Sequence, residues 1–177
     1  MNHVTLQTMD TPDGPFTILM DGGAVIASGW CTDVDALLAL VHPGLRPGGG
    51  VVVADREDAG MRAALAAVAA HYDGDPDAPA SVPVRQQSGP FRMKAWDVLR
   101  EVSPGAPITY TEFAARTGAP SAVRAAAAAC ARNAAALFVP CHRVVRSDGS
   151  LGGFRYGLDL KARLLERELS VAALLLS

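Results

Sequence analysis

Residues 109–133 read TYTEFAARTGAPSAVRAAAAACARN, and their interpretation decides the fold of half the chain. A Gly-Ala-Pro turn at 118–120 separates two stretches with helical character. The first helix opens near Tyr110, and the second is expected from Ser121, as N-cap, to Asn133, as C-terminal stop. Two helices joined by a glycine-containing turn form a helix-turn-helix. The second helix is nearly all alanine from Ser121 to Arg132, with Arg124 alone in its middle. A helix that reads base edges in the major groove needs Arg, Asn, Gln or Lys there, so this one reads little sequence. An alanine face instead allows close backbone approach, either to a narrow minor groove or to the protein's own interior. The residues alone leave both open.

Five residues further on, FVPCHRVVRSDGS spans residues 138–150. Pro140 cannot extend a helix and biases Val139 towards extended backbone, so Cys141 is expected just after a buried strand-like piece, ALFV, opening a turn. Nucleophilic cysteines have their pKa lowered by a nearby cation, histidine or helix N-terminus, and His142 and Arg143 are the right types. On an extended chain adjacent residues face opposite sides, so His142 needs a turn or a bridging water to act on Cys141. From the tripeptide alone, a buried inert thiol is the better reading. In the terminal segment GLDLKARLLERELSVAALLL, however, Glu168 falls on the face of Leu160, Leu164 and Leu165. A carboxylate on a core face is costly to bury unless paired, and His142 is a natural partner. Cys141, His142 and Glu168 then read as nucleophile, base and orienter, against the alternative of a frayed helix end with Glu168 in water.

Charge distinguishes the two halves. The chain of 177 residues has a net charge of -2, but residues 1–88 carry four Lys/Arg against eleven Asp/Glu, and residues 89–177 carry twelve against seven. A basic half points to a polyanion, with nucleic acid the first candidate. Three cysteines, at 31, 130 and 141, form neither a C-x-x-C pair nor an even framework, so free thiols are expected and neither disulfides nor a structural zinc. No run approaches a membrane span, and the N-terminal MNHVTLQTMDTPDGPF lacks a secretory pattern. A cytoplasmic protein with no membrane contact is the expectation.

The first half alternates short β-like segments with Asp/Pro/Gly turns: HVTLQTM, FTILMD and AVIASGWC read as an antiparallel meander. VDALLALVHP reads as a short helix, VVVAD as a buried strand, and DREDAGMRAALAAVAAHYDG as a helix. His3, His42 and His71 are scattered and read as surface or core-edge histidines. Residues 73–90, DGDPDAPASVPVRQQSGP, resist regular structure and place a linker or boundary near 88. The chain is therefore read as α+β, with an N-terminal α+β domain over 1–88 and a mostly helical domain over 89–177.

VPCHRVV, with the preceding RN and the following DGSLGGF, closely resembles the active-site segment of the O6-alkylguanine-DNA alkyltransferases, the methylated-DNA-protein-cysteine methyltransferases. The likeness extends upstream through FRMKAWDVLREVSPGAPITYTEFAARTGAPSAVRAAAAACARN and covers about residues 89–169. It implies a small N-terminal ribonuclease-H-like α/β domain and a C-terminal helical, winged-helix-like domain. It further implies that Cys141 accepts the alkyl group in a single turnover. His142, through a water, and Glu168 promote its ionisation, and Tyr110 donates a proton or hydrogen bond to the departing guanine. Arg124 enters the duplex behind the flipped nucleotide, with Ser121 and Ala125 on the same DNA-facing helix. Asn133 is the hinge from that helix to the active-site loop, and backbone groups of Cys141 and Val144 hold the guanine edge. Phe154 stands where tyrosine is common, and Arg155 and Tyr156 where small residues are common, so the substrate pocket is expected to differ in shape. The implied partner is double-stranded DNA carrying O6-alkylguanine, bound by a monomer, with cooperative assembly and activity on alkylated thymine left open. No cofactor is implied, and Cys31 lacks partners for the zinc that some members carry. Two other classes remain open: a damage sensor that transfers nothing, against which Cys141 argues, and a cysteine hydrolase, with which the helix-turn-helix is an odd combination.

Overall fold

Valine, isoleucine and threonine at alternating positions, cut by Pro12-Asp13 and Gly22-Gly23, set up the first three strands: β1 (Val4–Thr11), β2 (Gly14–Asp21) and β3 (Ala24–Gly29). The computed structural model describes residues 3–55 and 57–177; Met1 and Asn2 of the N-terminal stretch and Arg56 of DREDAG lie outside them. The three strands form the antiparallel meander the sequence predicts, and a fourth, β4 (Val51–Val53), runs parallel to β1, giving the order β3-β2-β1-β4. Phe16 to Met20 of β2 are all buried, as a central strand covered on both faces requires. Helix α1 (Val34–Leu40) packs on β3, and α2 (Ala59–Tyr72) packs on β1 and β2. Asp33 and Asp58 cap them, accepting from Ala36 N at 3.1 Å and Met61 N at 2.9 Å.

Three expectations for this half are corrected. The triplet of β4 is not a buried strand: Val52 is 43% and Val53 73% exposed, because β4 pairs only with β1 and forms the sheet's edge. His71 is fully buried on the core face of α2, edge-on to Tyr72. The 73–90 stretch does not stay irregular. Residues Ala78–Ser81 form a 3₁₀ turn, Pro79 and Val82 are buried, and the backbone around Val84 pairs with Val25. Proline and aspartate exclude a strand interior, but they do not prevent a short extended piece from covering a sheet edge.

The chain divides into two compact units, residues up to 87 together with Ala134–Phe138, and Ser88–Asn133 together with Val139–Ser177. Residues 134–138, which the sequence reading kept in the second half, bond to β3: Ser28 N donates to Ala134 O at 2.9 Å and Ser28 Oγ to Ala136 O at 2.8 Å. ALFV is accordingly turn rather than strand, with Leu137 at a φ of 72°.

In the second unit, α3 (Pro90–Arg100) starts with Pro90 in its first turn and buries Ala95, Trp96, Val98 and Leu99. The helix-turn-helix follows as α4 (Tyr110–Arg116) and α5 (Val123–Ala131). Thr109 caps α4 by accepting from Glu112 N at 3.1 Å. Helix α5 begins later than the sequence suggests: its N-cap is Ala122, without a side-chain bond, and Ser121 is exposed outside it. The small side chains of Ala126 and Ala129 are buried, and Trp96 Nε1 donates to Ala129 O at 3.0 Å, so the alanine face does serve internal packing. Two short parallel strands, β5 (Ile108–Thr109) and β6 (Val144–Val145), and the terminal helix α6 (Leu158–Leu175) complete the α+β fold.

Candidate active site

Pro140 is followed by a single 3₁₀ turn, Cys141–Arg143, in which Arg143 N donates to Pro140 O at 3.0 Å and Val144 N to Cys141 O. The turn changes the argument made for extended chain, because it carries both His142 and Arg143 inward. His142 Nε2 and Glu168 Oε1 are 2.8 Å apart, and both residues are buried. Arg143 is spent on the same carboxylate, with Nε 3.1 Å from Oε2 and Nη2 3.0 Å from Oε1, while its Nη1 donates to Val102 O at 2.6 Å. It is therefore not the cation beside the thiol. Burial alone would raise the Glu168 carboxyl, but His142 and Arg143 outweigh it and hold the group at about 2. Glu168 stays an anion in the core because it is paired twice.

Cys141 is half-buried and free. Burial pushes its thiol up; the Asn133 side chain, the Lys161 ammonium and the Arg155 guanidinium pull it back. Asn133, just past α5, also donates from Nδ2 to Val139 O at 2.8 Å and so fixes the approach to the Cys141 turn. Tyr110 opens α4, and burial, together with Cys130 and Cys141, raises its phenol to about 12. It therefore remains protonated and can donate. Gly152 explains how the phenol is accommodated: at a φ of 71°, a Cβ on this residue would lie 2.9 Å from Tyr110 Cε2 and 3.0 Å from its hydroxyl.

Of the other residues singled out, Ser121, Arg124 and Ala125 lie exposed on or beside the start of α5. Val144 is buried at the end of the Cys141 turn. Phe154 stacks edge-on to Tyr156 with ring centroids 5.7 Å apart, and Arg155 Nη2 donates to Ala131 O at 2.6 Å, tying this loop to the last turn of α5. Sequence reasoning missed Lys161. Its signal was present, since 161, 164, 165 and 168 share one helical face, but a lysine beside an apolar stripe ordinarily reaches out to water. Here it is fully buried. Among the described residues, no group of three or more His, Cys, Asp or Glu side chains gathers as a metal site would require, and no helix is long and apolar enough to cross a membrane.

Residues 90–170, which contain every element of this site, match the family model for the DNA binding domain of 6-O-methylguanine DNA methyltransferase. The chain is 45% identical over 92 residues to the bifunctional transcriptional activator/DNA repair enzyme Ada of Escherichia coli, covering 52% of this chain but 26% of that protein. It thus spans about a quarter of that relative's length. A probable methylated-DNA--protein-cysteine methyltransferase of Acanthamoeba polyphaga mimivirus is 36% identical over 108 residues, which are 61% of this chain and 72% of that protein. Among solved structures, the O6-methylguanine methyltransferase of Mycobacterium tuberculosis superimposes with a TM-score of 0.74 at 26% identity, covering 96% of this chain and 94% of that one. The same organism's protein in complex with DNA gives 0.77 at 25% identity, covering 95% and 94%. With likeness of sequence over the Cys141 half and likeness of structure over nearly the whole length, the chain belongs to the methylated-DNA--protein-cysteine methyltransferase family.

Proposed function

We propose that this protein repairs DNA by direct reversal, moving the alkyl group from O6 of an alkylated guanine in duplex DNA onto Cys141 Sγ, once per molecule. The observation that carries the proposal is the buried His142–Glu168 pair set immediately behind the half-buried cysteine in one 3₁₀ turn. His142, through a bridging water, takes the thiol proton, and the Glu168 anion stabilises the imidazolium. The thiolate sulfur then bonds to the alkyl carbon in line with the breaking C–O6 bond. The electron pair of that bond stays on the purine, and the proton held by His142 returns to it by way of solvent, so the base leaves as neutral guanine. Tyr110, protonated at neutral pH, hydrogen-bonds the purine as its charge develops. The product is a thioether without a leaving group that water or a thiol can displace, so each molecule acts once.

The reacting atom lies inside the duplex, so the nucleotide must be flipped out, a step that poor pairing of the damaged base makes less costly. Arg124, exposed on α5, fills the vacated space, and Ser121 and Ala125 lie against the DNA backbone and groove. Val144, Asn133, Phe154 and Arg155 surround the extruded base, with Phe154 offering a ring to stack on. Twelve Lys/Arg against seven Asp/Glu in residues 89–177 supply phosphate affinity without sequence preference. Free thiols suit a reducing, cytoplasmic setting.

The test is intact-protein mass spectrometry after incubation with a duplex containing O6-methylguanine. A stoichiometric gain of one methyl, absent in Cys141→Ser, is expected. Tight binding without a mass change would make the protein a damage sensor, and repeated turnover would overturn the single-use mechanism.

A further inference from the structure

Residues 134–138 leave the unit to which their neighbours on both sides belong: the chain passes from the second unit to the first after Asn133 and returns at Val139. The excursion covers the outer edge of β3, where Ser28 bridges Ala135. Ser28 holds it by three groups. Its N–H donates to Ala134 O at 2.9 Å, its carbonyl accepts from Ala136 N at 3.2 Å, and its hydroxyl donates to Ala136 O at 2.8 Å. Gln86 Oε1 adds a further bond by accepting from Ala134 N at 2.8 Å. Alanine at 134, 135 and 136 lets the two backbones approach closely, and the whole of 134–138 is buried. Backbone polar groups in such surroundings are costly to leave unpaired, and these bonds satisfy both groups of Ala134 and both of Ala136.

The return needs an abrupt reversal, and Leu137 supplies it at a φ of 72°. A non-glycine residue rarely adopts the left-handed region, and it persists there only where surrounding contacts impose it. Here the contacts lie on both sides. Ser28 fixes Ala136 before the reversal, and Phe138 packs beside Phe16 after it, with ring centroids 6.4 Å apart. Asn133 Nδ2, bonded to Val139 O, closes the excursion at its base, and the Cys141 turn begins two residues later. We infer that Ser28 is a positioning residue for the alkyl-acceptor turn. From the N-terminal sheet it holds Ala136, and with it the reversal at Leu137, in the conformation that delivers Val139 to Asn133 and sets Cys141 before the His142–Glu168 pair. The inference rests on the reading of Cys141 as acceptor. It gives the N-terminal unit a share in the chemistry, although Ser28 does not touch the reacting atoms. The influence travels along the chain, from Ala136 through Leu137 to Cys141.

Ser28→Ala keeps both backbone bonds and removes the hydroxyl, leaving Ala136 O buried without that donor. In single-turnover transfer from an O6-methylguanine duplex, the rate at saturating DNA is expected to fall about tenfold, because a displaced sulfur no longer lines up with the reacting carbon. The duplex concentration at half-saturation and the final yield of methylated protein should stay at wild-type values, since the proposed DNA-facing helix is untouched and the protein remains folded. Hydrogen exchange locates the change. The amides of Arg143 and Val144, which bond to Pro140 O and Cys141 O, should exchange about tenfold faster, while those of α3 in the same unit keep their rates. Gln86→Leu, which removes the acceptor for Ala134 N, should reproduce this pattern, and Gln86→Glu, which keeps an acceptor, should restore the wild-type values. That pair decides the matter if Ser28→Ala does not fold. A wild-type saturating rate with unchanged exchange at Arg143 and Val144, or equal acceleration at α3, would overturn the inference. Exchange uses no alkylguanine, so a wild-type protein that gains no methyl from DNA while its turn still answers to residue 28 would sink the proposed repair activity and leave the role of Ser28 in shaping the turn.

Discussion

Glu168 and Lys161 stand seven residues apart, about two turns, on one face of α6, and they are buried in opposite ways. Glu168 is enclosed by two cationic-capable side chains, His142 and Arg143, whereas Lys161 is held by three backbone carbonyls beside a phenol ring. A charge matched by opposite charge is insensitive to neutral pH and holds its elements together. A charge matched only by dipoles is left to respond to whatever ionises next to it. Of this seven-residue stretch, the Glu168 end is therefore expected to govern stability, and the Lys161 end the geometry of the loop that its three carbonyls belong to.

Glu168→Gln should show the largest effect. It leaves His142 and Arg143 buried without their carboxylate, and breaking such a cluster costs about 3–5 kcal/mol. Denaturant unfolding at pH 7 measures this directly. The same cluster sets an acid limb. The folded-state carboxyl, at about 2, lies below its unfolded value of 4.5, so the stability it contributes is full above pH 4.5 and is lost as pH falls towards 2. Wild-type unfolding free energy should drop across that window, and the drop should be shallower in Glu168→Gln. A variant as stable as the wild type at pH 7, with an equal acid limb, would show that the Glu168 end does not govern stability.

Gly152→Ala probes the other end with a smaller stability change. The added methyl meets Tyr110 and sits at a positive φ, for an expected loss of about 1–2 kcal/mol. Its acid limb should match that of the wild type, while single-turnover transfer from an alkylguanine duplex slows about tenfold or more, because a displaced phenol or loop carbonyl misaligns the reacting groups. Stability lost without a change in transfer would erase the distinction between the two ends.

The two ends also differ in how far the sequence reveals them. Glu168 was legible because leucine spacing put a carboxylate where only a partner could keep it, and His142 supplied that partner. Lys161 lies on the same face but was passed over, since a lysine stem can cover apolar surface with its head in water. Its burial depends on carbonyls ten and seventeen residues away, which no side-chain pattern announces. The meander and the helix-turn-helix were legible from local spacing and turn residues. The exposure of β4 and the placement of residues 134–138 on β3 were not, because both depend on pairings between distant parts of the chain, over a hundred residues apart for Ser28 and Ala136.

Ser121→Ala should have the smallest effect on stability, and it separates a local reading from the folded one. If Ser121 capped α5, its removal would cost about 1 kcal/mol. Helix α5 instead starts from Ala122 with no side-chain cap, and Ser121 is exposed, so the change should stay within about 0.5 kcal/mol by denaturant unfolding. A loss of the full cap energy would mean that α5 begins a residue earlier in solution. On the proposed DNA-facing role, the hydroxyl matters only when a duplex is present. Affinity for undamaged duplex at low salt should then weaken a few-fold in Ser121→Ala while stability, the acid limb and the iodoacetamide reactivity of Cys141 all stay at their wild-type values. That pattern would set α5 apart from both the Glu168 and the Lys161 surroundings, as a surface selected for what it meets rather than for what it holds together.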